Sequence, residues 1–294
     1  MPSNSIASSV GKFVYYHYNP SKAAAIVFIV FFAAAAIGHI YFMVRRRTWY
    51  FTAFIIGLLF EVMGYVGRAL SAGQTPDWTL GPYILQSLTL LLGPTLLAAS
   101  IYMTLGRFIR FLQADQYSPI RTTWLTKVFV FGDVFSFLVQ GGGGGILANA
   151  KTSDKLTLGE NIILVGLVLQ IVFFGIFMIV TLIVHRRIAG FAHARHGSGL
   201  AFFYVLYAAS ALILVRSIFR VAEYATGYSG PLQSSEAYIY VFDATLMFAV
   251  GGLFLAYHPS TVMDARAVAP KTEVFSGMTQ DGYPLQGESL SSVA

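Results

Sequence analysis

Seven long apolar runs dominate this sequence of 294 residues. They lie at 22–44, 49–70, 82–105, 124–147, 160–184, 200–222 and 236–258. Each run has roughly the 20 residues that a helix needs to cross about 30 Å of hydrocarbon. Charged residues make up only 11% of the chain, against roughly 25% in a typical soluble domain. The sequence therefore predicts an all-α polytopic membrane protein, a seven-transmembrane helix bundle.

Basic residues in the short loops predict the orientation of the bundle, because loops rich in arginine and lysine stay cytoplasmic. The odd-numbered loops carry nine arginines, whereas the even-numbered loops carry only Lys151 and Lys155. We therefore expect the N-terminus outside and the C-terminus cytoplasmic. The chain then divides into an extracellular segment at 1–21, a transmembrane domain at 22–258 and a disordered cytoplasmic tail at 259–294.

The formal net charge of +6 follows largely from this topology and does not indicate nucleic-acid binding. Membrane lipids with acidic headgroups are the expected partners of the loop arginines. The absence of cysteine excludes disulfides and thiolate metal sites. The sequence also has no phosphate-binding glycine loop, paired zinc ligands or nucleophile elbow. We therefore predict a protein that is not an enzyme and that uses no cofactor or metal, and its oligomeric state is left open.

The sixth apolar run contains three charged residues, Arg216, Arg220 and Glu223. Their spacing places them within about 60° of one another on one helix face. A charge near the bilayer centre costs at least about 2.5 to 3.5 kcal/mol on insertion scales, so such side chains face the bundle interior and need partners. Asp243, in the seventh run, lies at the depth of Arg216 and on the consecutive helix. We predict that these two side chains form a buried ion pair.

Other polar residues follow helical spacing and are expected to face the same interior. They can lock helices together through hydrogen bonds worth about 0.6 kcal/mol each, or they can line a cavity. We favour a hydrated cavity open to the outer leaflet, because so many polar groups exceed what packing needs. The candidate substrate-binding residues are Glu61, Tyr65, Arg68, Gln86, Asp133, Gln140, Gln170, Arg216, Arg220, Glu223 and Asp243.

Two backbone features stand out within the predicted helices. Five consecutive glycines occupy 141–145, although each costs a helix roughly 1 kcal/mol relative to alanine. They fit either close packing of neighbouring helices or a kink or broken turn at the outer end of the helix, which would expose carbonyls beside Gln140. Pro94 lies in the middle of the third run and should kink that helix and leave backbone groups unpaired.

An ordered set of fragments spans about residues 15 to 260. It comprises Glu61 with Gly64, Tyr65 and Arg68; the segment 91–94; Gly106 and Arg107; Asp133 with Gln140; Gly166 with Gln170; Arg216 with Arg220, Glu223 and Tyr224; Glu236 with Tyr240 and Asp243; and His258 with Pro259. This set resembles the fungal lipid-translocating exporter family, also called the resistance-to-aminocholesterol (RTA-like) family. The resemblance implies a seven-span protein associated with transport of, or resistance to, sphingoid long-chain bases and other toxic amphiphiles. It also leads us to expect a plasma-membrane location, although this chain lacks the N-terminal glycosylation acceptor of some members.

Two functional classes remain open. The first is a transporter or translocator of amphipathic lipid-like molecules that contributes to export or stress resistance. The second is a seven-span receptor or sensor that binds an amphipathic ligand without moving it. The clustered charges and the interrupted helices favour the first class. Because the sequence has no ATP-binding motif, active transport would require an ion gradient or a partner.

Overall fold

The computed structural model describes residues 16, 18–149, 152–192, 197–226, 232 and 235–267. The helices are Lys22–Arg46 (α1), Thr52–Ala72 (α2), Leu80–Phe111 (α3), Thr122–Ala148 (α4), Ser153–Ala192 (α5), Gly197–Ala225 (α6), Glu236–Ile239 (α7), Thr245–Ala256 (α8) and Pro259–Ala267 (α9). A π-helical turn, Tyr240–Ala244, joins α7 to α8. Short 3-10 turns, Trp49–Phe51 and Asp115–Tyr117, precede α2 and α4.

Seven helical segments within the described ranges are long and apolar enough to cross a membrane. They are Lys22–Arg46, Trp49–Ala72, Leu80–Phe111, Thr122–Leu147, Asp154–Ala189, Phe202–Ala225 and Glu236–Met263. The seventh span therefore combines α7, the π-helical turn and α8. These bounds confirm the predicted all-α, seven-span architecture of an integral, multi-pass membrane protein.

Packing between the helices places α3 at the centre of the bundle. It contacts α2, α4 and α6, whereas α1 contacts α2 and α8. The outward faces of the spans carry large apolar side chains such as Ile37, Phe131 and Leu138, which are well exposed. An apolar exterior is what a hydrocarbon environment requires, so the polar side chains are directed toward the interior.

The glycine run does not break α4, which continues as one helix through it. Gly143 faces α5 so closely that a Cβ on it would lie 2.8 Å from the carbonyl oxygen of Gly159. A Cβ on Gly141, Gly144 or Gly145 would instead meet open space. The broken-turn interpretation is therefore wrong, close packing applies to Gly143, and the other four glycines, Gly142 included, need another explanation.

The predicted tail requires a correction at its start. Residues 259–267 form α9 instead of a disordered segment. The backbone N–H of Ser260 donates to the Nδ1 atom of His258 at 3.3 Å, so this histidine caps the start of the helix. Residues 268–294 lie outside the described residues, as do 1–15 and 17 of the predicted extracellular segment.

The orientation of the bundle stays a prediction, and accessibility of its ends can test it. A tag after residue 290 should be cleaved by protease only from the cytoplasmic side, and a tag before residue 10 only from outside, because the arginine-rich loops remain cytoplasmic. Protease protection in sealed vesicles measures both, and detergent-opened vesicles serve as the control. Protection of both ends from the same side would contradict the seven-span topology.

Candidate functional site

The centre of the candidate site is Asp243, a fully buried carboxylate shared by two arginines. The Nε atom of Arg216 donates to Oδ1 of Asp243 at 2.6 Å. Arg220 donates to the other oxygen, Oδ2, and also donates to Glu223 at 3.0 Å. The predicted ion pair between Arg216 and Asp243 is therefore confirmed. We call these four residues, together with Glu61 described below, the charge network.

Local backbone geometry explains how one carboxylate reaches two guanidinium groups. Arg216 and Arg220 are four residues apart on α6 and therefore lie one turn apart on one face. Asp243 belongs to the π-helical turn Tyr240–Ala244, in which the helix accommodates an extra residue. Such turns are frequent at functional sites because they change the direction of the side chains that follow.

Arg216 also reaches α3 through a carbonyl group that Pro94 leaves free. Proline has no N–H, so it cannot donate to the carbonyl oxygen four residues earlier, which is that of Leu90. The Nη2 atom of Arg216 donates to this oxygen at 2.6 Å. As predicted, Pro94 leaves one backbone carbonyl without its partner in the helix. That carbonyl, of Leu90, instead accepts a hydrogen bond from Arg216. α3 continues as a single helix through Pro94.

Glu61 approaches the same charges from α2. Its side chain is fully buried, and neither carboxylate oxygen has a hydrogen-bond partner among the described residues. The carboxylate rests against Gly93, where a Cβ would lie only 2.7 Å from Oε1. Its electrostatic neighbours are Asp243, Arg216 and Arg220. Glu61 is therefore the member of the charge network whose carboxylate accepts no hydrogen bond from the described part of the chain, which is costly for a buried carboxylate.

A second cluster surrounds Arg68, two turns along α2 from Glu61. Arg68 donates to Oε1 of Glu236 at 2.9 Å, to the hydroxyl of Tyr240 at 3.1 Å and to the hydroxyl of Tyr18 at 2.7 Å. Glu236 also accepts from the backbone N–H of Ser21 at 2.9 Å. Burial raises the pKa of the Tyr18 phenol, so this hydroxyl keeps its proton at neutral pH.

The segment before α1 also engages Gln86. The hydroxyl of Tyr16 donates to Oε1 of Gln86 at 2.8 Å and lies 3.1 Å from the hydroxyl of Ser71. The Tyr16 ring packs edge-on against Trp78 and Tyr83. This segment is therefore attached to α2 and α3. The pattern of apolar runs in the sequence did not predict this attachment.

Three predicted site residues make their hydrogen bonds outside the charge network. Asp133 accepts from the hydroxyl of Tyr102 at 2.8 Å, which connects α4 to α3. Gln140 donates to Gln170 at 3.2 Å, which connects α4 to α5. All three are buried. Their contacts fit the helix-locking interpretation, since each bond joins two neighbouring helices.

Tyr65 lies between the two clusters on α2. Its ring is fully buried and stacks on Phe32, with the centroids 5.7 Å apart, and its hydroxyl has no hydrogen-bond partner among the described residues. The spacing of Glu61, Tyr65 and Arg68 thus placed all three on one interior face, as expected. The structure differs from the expected hydrated cavity in that protein side chains cover these polar groups.

Sequence reasoning missed the partners of Arg68 and the role of the tyrosines. Glu236 begins the seventh span, and its depth matches that of Arg68 near the end of the second, so a comparison of depths could have made this pair a candidate. Tyr16 and Tyr18 lie outside any periodic pattern, so nothing in the sequence indicated where they would dock.

Comparison with known proteins finds one matching family and several similar proteins from fungi. The family described as RTA1 like protein matches residues 54–266. Protoporphyrin uptake protein 1 of Saccharomyces cerevisiae is 35% identical, over 82% of this chain and 93% of its own. Lipid-translocating exporter-like protein RTA1 of Leptosphaeria maculans is 29% identical, over 94% of this chain and 56% of its own. Sphingoid long-chain base transporter RSB1 of Saccharomyces cerevisiae is 23% identical, over 85% and 74%. No solved structure matches the chain.

Removing single members of the charge network should destabilise the protein. Breaking a buried ion pair from one side typically costs about 3 to 5 kcal/mol, because the other charge is left uncompensated. Asp243→Ala should lower the melting temperature in detergent more than Arg216→Ala, because it removes the carboxylate that two arginines share. The double substitution should recover part of the loss. Strictly additive losses would show that the two charges do not interact, and Arg68→Ala combined with Asp243→Ala provides an additive control.

The role of Pro94 can be tested by a second double-mutant cycle. Pro94→Ala supplies a backbone N–H that competes with Arg216 for the Leu90 carbonyl. Arg216→Ala should then cost less stability in the Pro94→Ala protein, by about 1.5 kcal/mol or more, the value of a hydrogen bond to a charged group. Pro82→Ala, in the first turn of α3, is the control and should leave the cost unchanged. Equal costs in all three backgrounds would refute the assignment.

Proposed function

Because this chain belongs to the RTA1-like family, we propose that it translocates amphipathic lipid-like molecules, with sphingoid long-chain bases and other toxic amphiphiles as its substrates. The names of the three relatives concern lipid translocation, transport of sphingoid bases and uptake of protoporphyrin. Each of these activities moves an amphipathic molecule. Translocation requires no covalent step, so the protein acts as a transporter and not as an enzyme.

The observation that carries this proposal is the unsatisfied carboxylate of Glu61. When every group is ionised, the charge network contains three carboxylates, on Glu61, Glu223 and Asp243, and two guanidinium groups, on Arg216 and Arg220. The acids therefore outnumber the bases by one. A cation that leaves water needs a compensating charge. An ammonium headgroup beside Glu61 would supply the missing positive charge and a hydrogen-bond donor.

Two neighbouring residues of α3 support this contact in different ways. Gly93 gives the Glu61 carboxylate its space, and Pro94 fixes Arg216 through the Leu90 carbonyl. Positioning groups of this kind keep a binding site in one geometry, which lowers the free-energy cost of ordering it when the ligand arrives. Export of an amphiphile from the cell would take place at the plasma membrane, which is the location that we propose.

A receptor that binds the same amphiphile without moving it is the second function considered from the sequence. The names of the relatives favour transport, and the structure adds no observation that favours a receptor over a transporter. The two functions differ in one measurable quantity, which is the net movement of ligand across a sealed bilayer.

Flux in liposomes that contain only this protein tests the proposal. We expect the wild-type protein to speed the movement of a fluorescent sphingoid base across the bilayer. Glu61→Gln should slow this movement about tenfold, equivalent to ~1.4 kcal/mol, because the amide carries no charge to pair with the ammonium. Asp154→Asn makes a matched acid-to-amide change at an exposed carboxylate and should transport as wild type does.

A second substrate separates headgroup recognition from general transport. Protoporphyrin carries carboxylates instead of an ammonium group, so its movement should be slowed less by Glu61→Gln than that of the sphingoid base. Equal slowing of both substrates would contradict the assignment of Glu61 as the headgroup partner. Binding of the sphingoid base without any flux through the wild-type protein would favour the receptor.

A further inference from the structure

The glycine run of α4 leaves a cavity of about 210 Å³ between α3, α4, α5 and α6. Gly141, Gly144 and Gly145 line it, and a Cβ on any of them would meet no neighbouring atom within 4 Å. Larger side chains at these positions would occupy the space. The cavity thus exists because these three residues lack side chains, which explains three of the four glycines that close packing does not require.

The wall opposite the glycines is formed by other helices and is mainly apolar. α3 contributes Ser87 and Leu88, and α6 contributes Tyr224. The cavity reaches the surface of the bundle, since Leu88 is 39% exposed and Gly145 is also exposed, and both residues lie in segments long and apolar enough to span a membrane. A molecule in the bilayer can therefore reach it from the side. A cavity with so few polar partners is also a poor site for water.

The cavity and the charge network adjoin each other on α6. Tyr224 follows Glu223, a member of the network, directly in the chain. The electrostatic neighbours of Tyr224 include three members of the network, Glu223, Arg220 and Arg216. A ligand that places a charged group at the network thus has an apolar space at nearly the same depth.

The size of the cavity indicates which part of a ligand it can hold. Pockets that enclose a whole drug-sized ligand measure roughly 300 to 1,000 Å³. The smaller volume here suits a segment of one hydrocarbon chain better than a ring system. Because such a chain comes from lipid and not from water, its binding depends on van der Waals packing and shape more than on the hydrophobic effect.

We propose that this cavity binds the hydrocarbon chain of the transported amphiphile while its ammonium group lies at the charge network. This inference rests on the proposed function, because it assumes an amphiphile with a cationic head. The site is divided accordingly: the charge network recognises the headgroup, and the glycine-lined cavity selects single-chain substrates. Neither part resembles a site for a two-chain phospholipid, which would need a second apolar space.

Photo-crosslinking tests the chain site directly. The probe is a sphingoid base with a diazirine in the middle of its chain, added to liposomes that contain the purified full-length protein. We expect labelled peptides from α3 around Leu88 and from α6 around Tyr224. Gly144→Leu and, independently, Gly141→Leu should lower labelling at these positions about tenfold, because the leucine occupies the cavity.

Gly142→Leu is the matched control for both variants. It adds the same side chain within the same glycine run, where open space surrounds an added Cβ, at a position that does not line the cavity. We expect its labelling to equal that of the wild type. Melting temperatures of the three variants in detergent identify any loss of labelling that comes from unfolding, and having two independent cavity variants keeps the test decisive if one of them is unstable.

The outcomes distinguish this inference from the proposed function. Unchanged labelling in Gly141→Leu and Gly144→Leu would refute the chain site, even if the wild-type protein transports the base. Equal labelling of the cavity by a diazirine phosphatidylcholine would also refute it, since bulk lipid would then be the occupant. Labelling at Leu88 and Tyr224 that the cavity variants abolish would support the chain site, and an absence of flux in the same liposomes would refute only transport.

Discussion

The carboxylate of Asp243, shared by two arginines, is the interaction on which the interior of this bundle depends. Each charge placed in hydrocarbon costs at least about 2.5 to 3.5 kcal/mol, and α6 carries both Arg216 and Arg220. Asp243 compensates them from the seventh span, and the carbonyl of Leu90 holds Arg216 from α3. Arg216 and Asp243 therefore connect three spans, and α6 can be buried only because its neighbours supply these partners.

The site is built where the helices depart from regular geometry. A π-helical turn carries Asp243, Pro94 frees the carbonyl that binds Arg216, and Gly93 makes room for Glu61. The glycine run of α4 leaves a cavity that is also lined by Tyr224, the residue after Glu223. Each departure weakens its own helix, and proteins tolerate such weaknesses mainly at functional sites. Their concentration around one group of charges supports a binding role more strongly than any single residue does.

Much of the fold and part of the site followed from the sequence. In lipid every backbone polar group must be satisfied internally, so seven apolar runs of sufficient length had to become seven helices. Helical periodicity then placed Glu61, Tyr65 and Arg68 on one interior face. Comparison of depths identified Arg216 and Asp243 as partners, because consecutive spans joined by a short loop bring groups at equal depth close together. These arguments use only the rise per residue and the cost of burying charge.

The sequence by itself thus determined the seven helices, their inward faces and one ion pair, because these depend on local geometry and on the membrane. Only the tertiary structure decided which groups are satisfied and where space remains. Depth gives the level of a residue but not the direction of its neighbours, so Glu236 could not be assigned firmly to Arg68. Glu61 is unsatisfied and the glycines enclose a cavity for the same reason: both depend on how three or more helices pack at once.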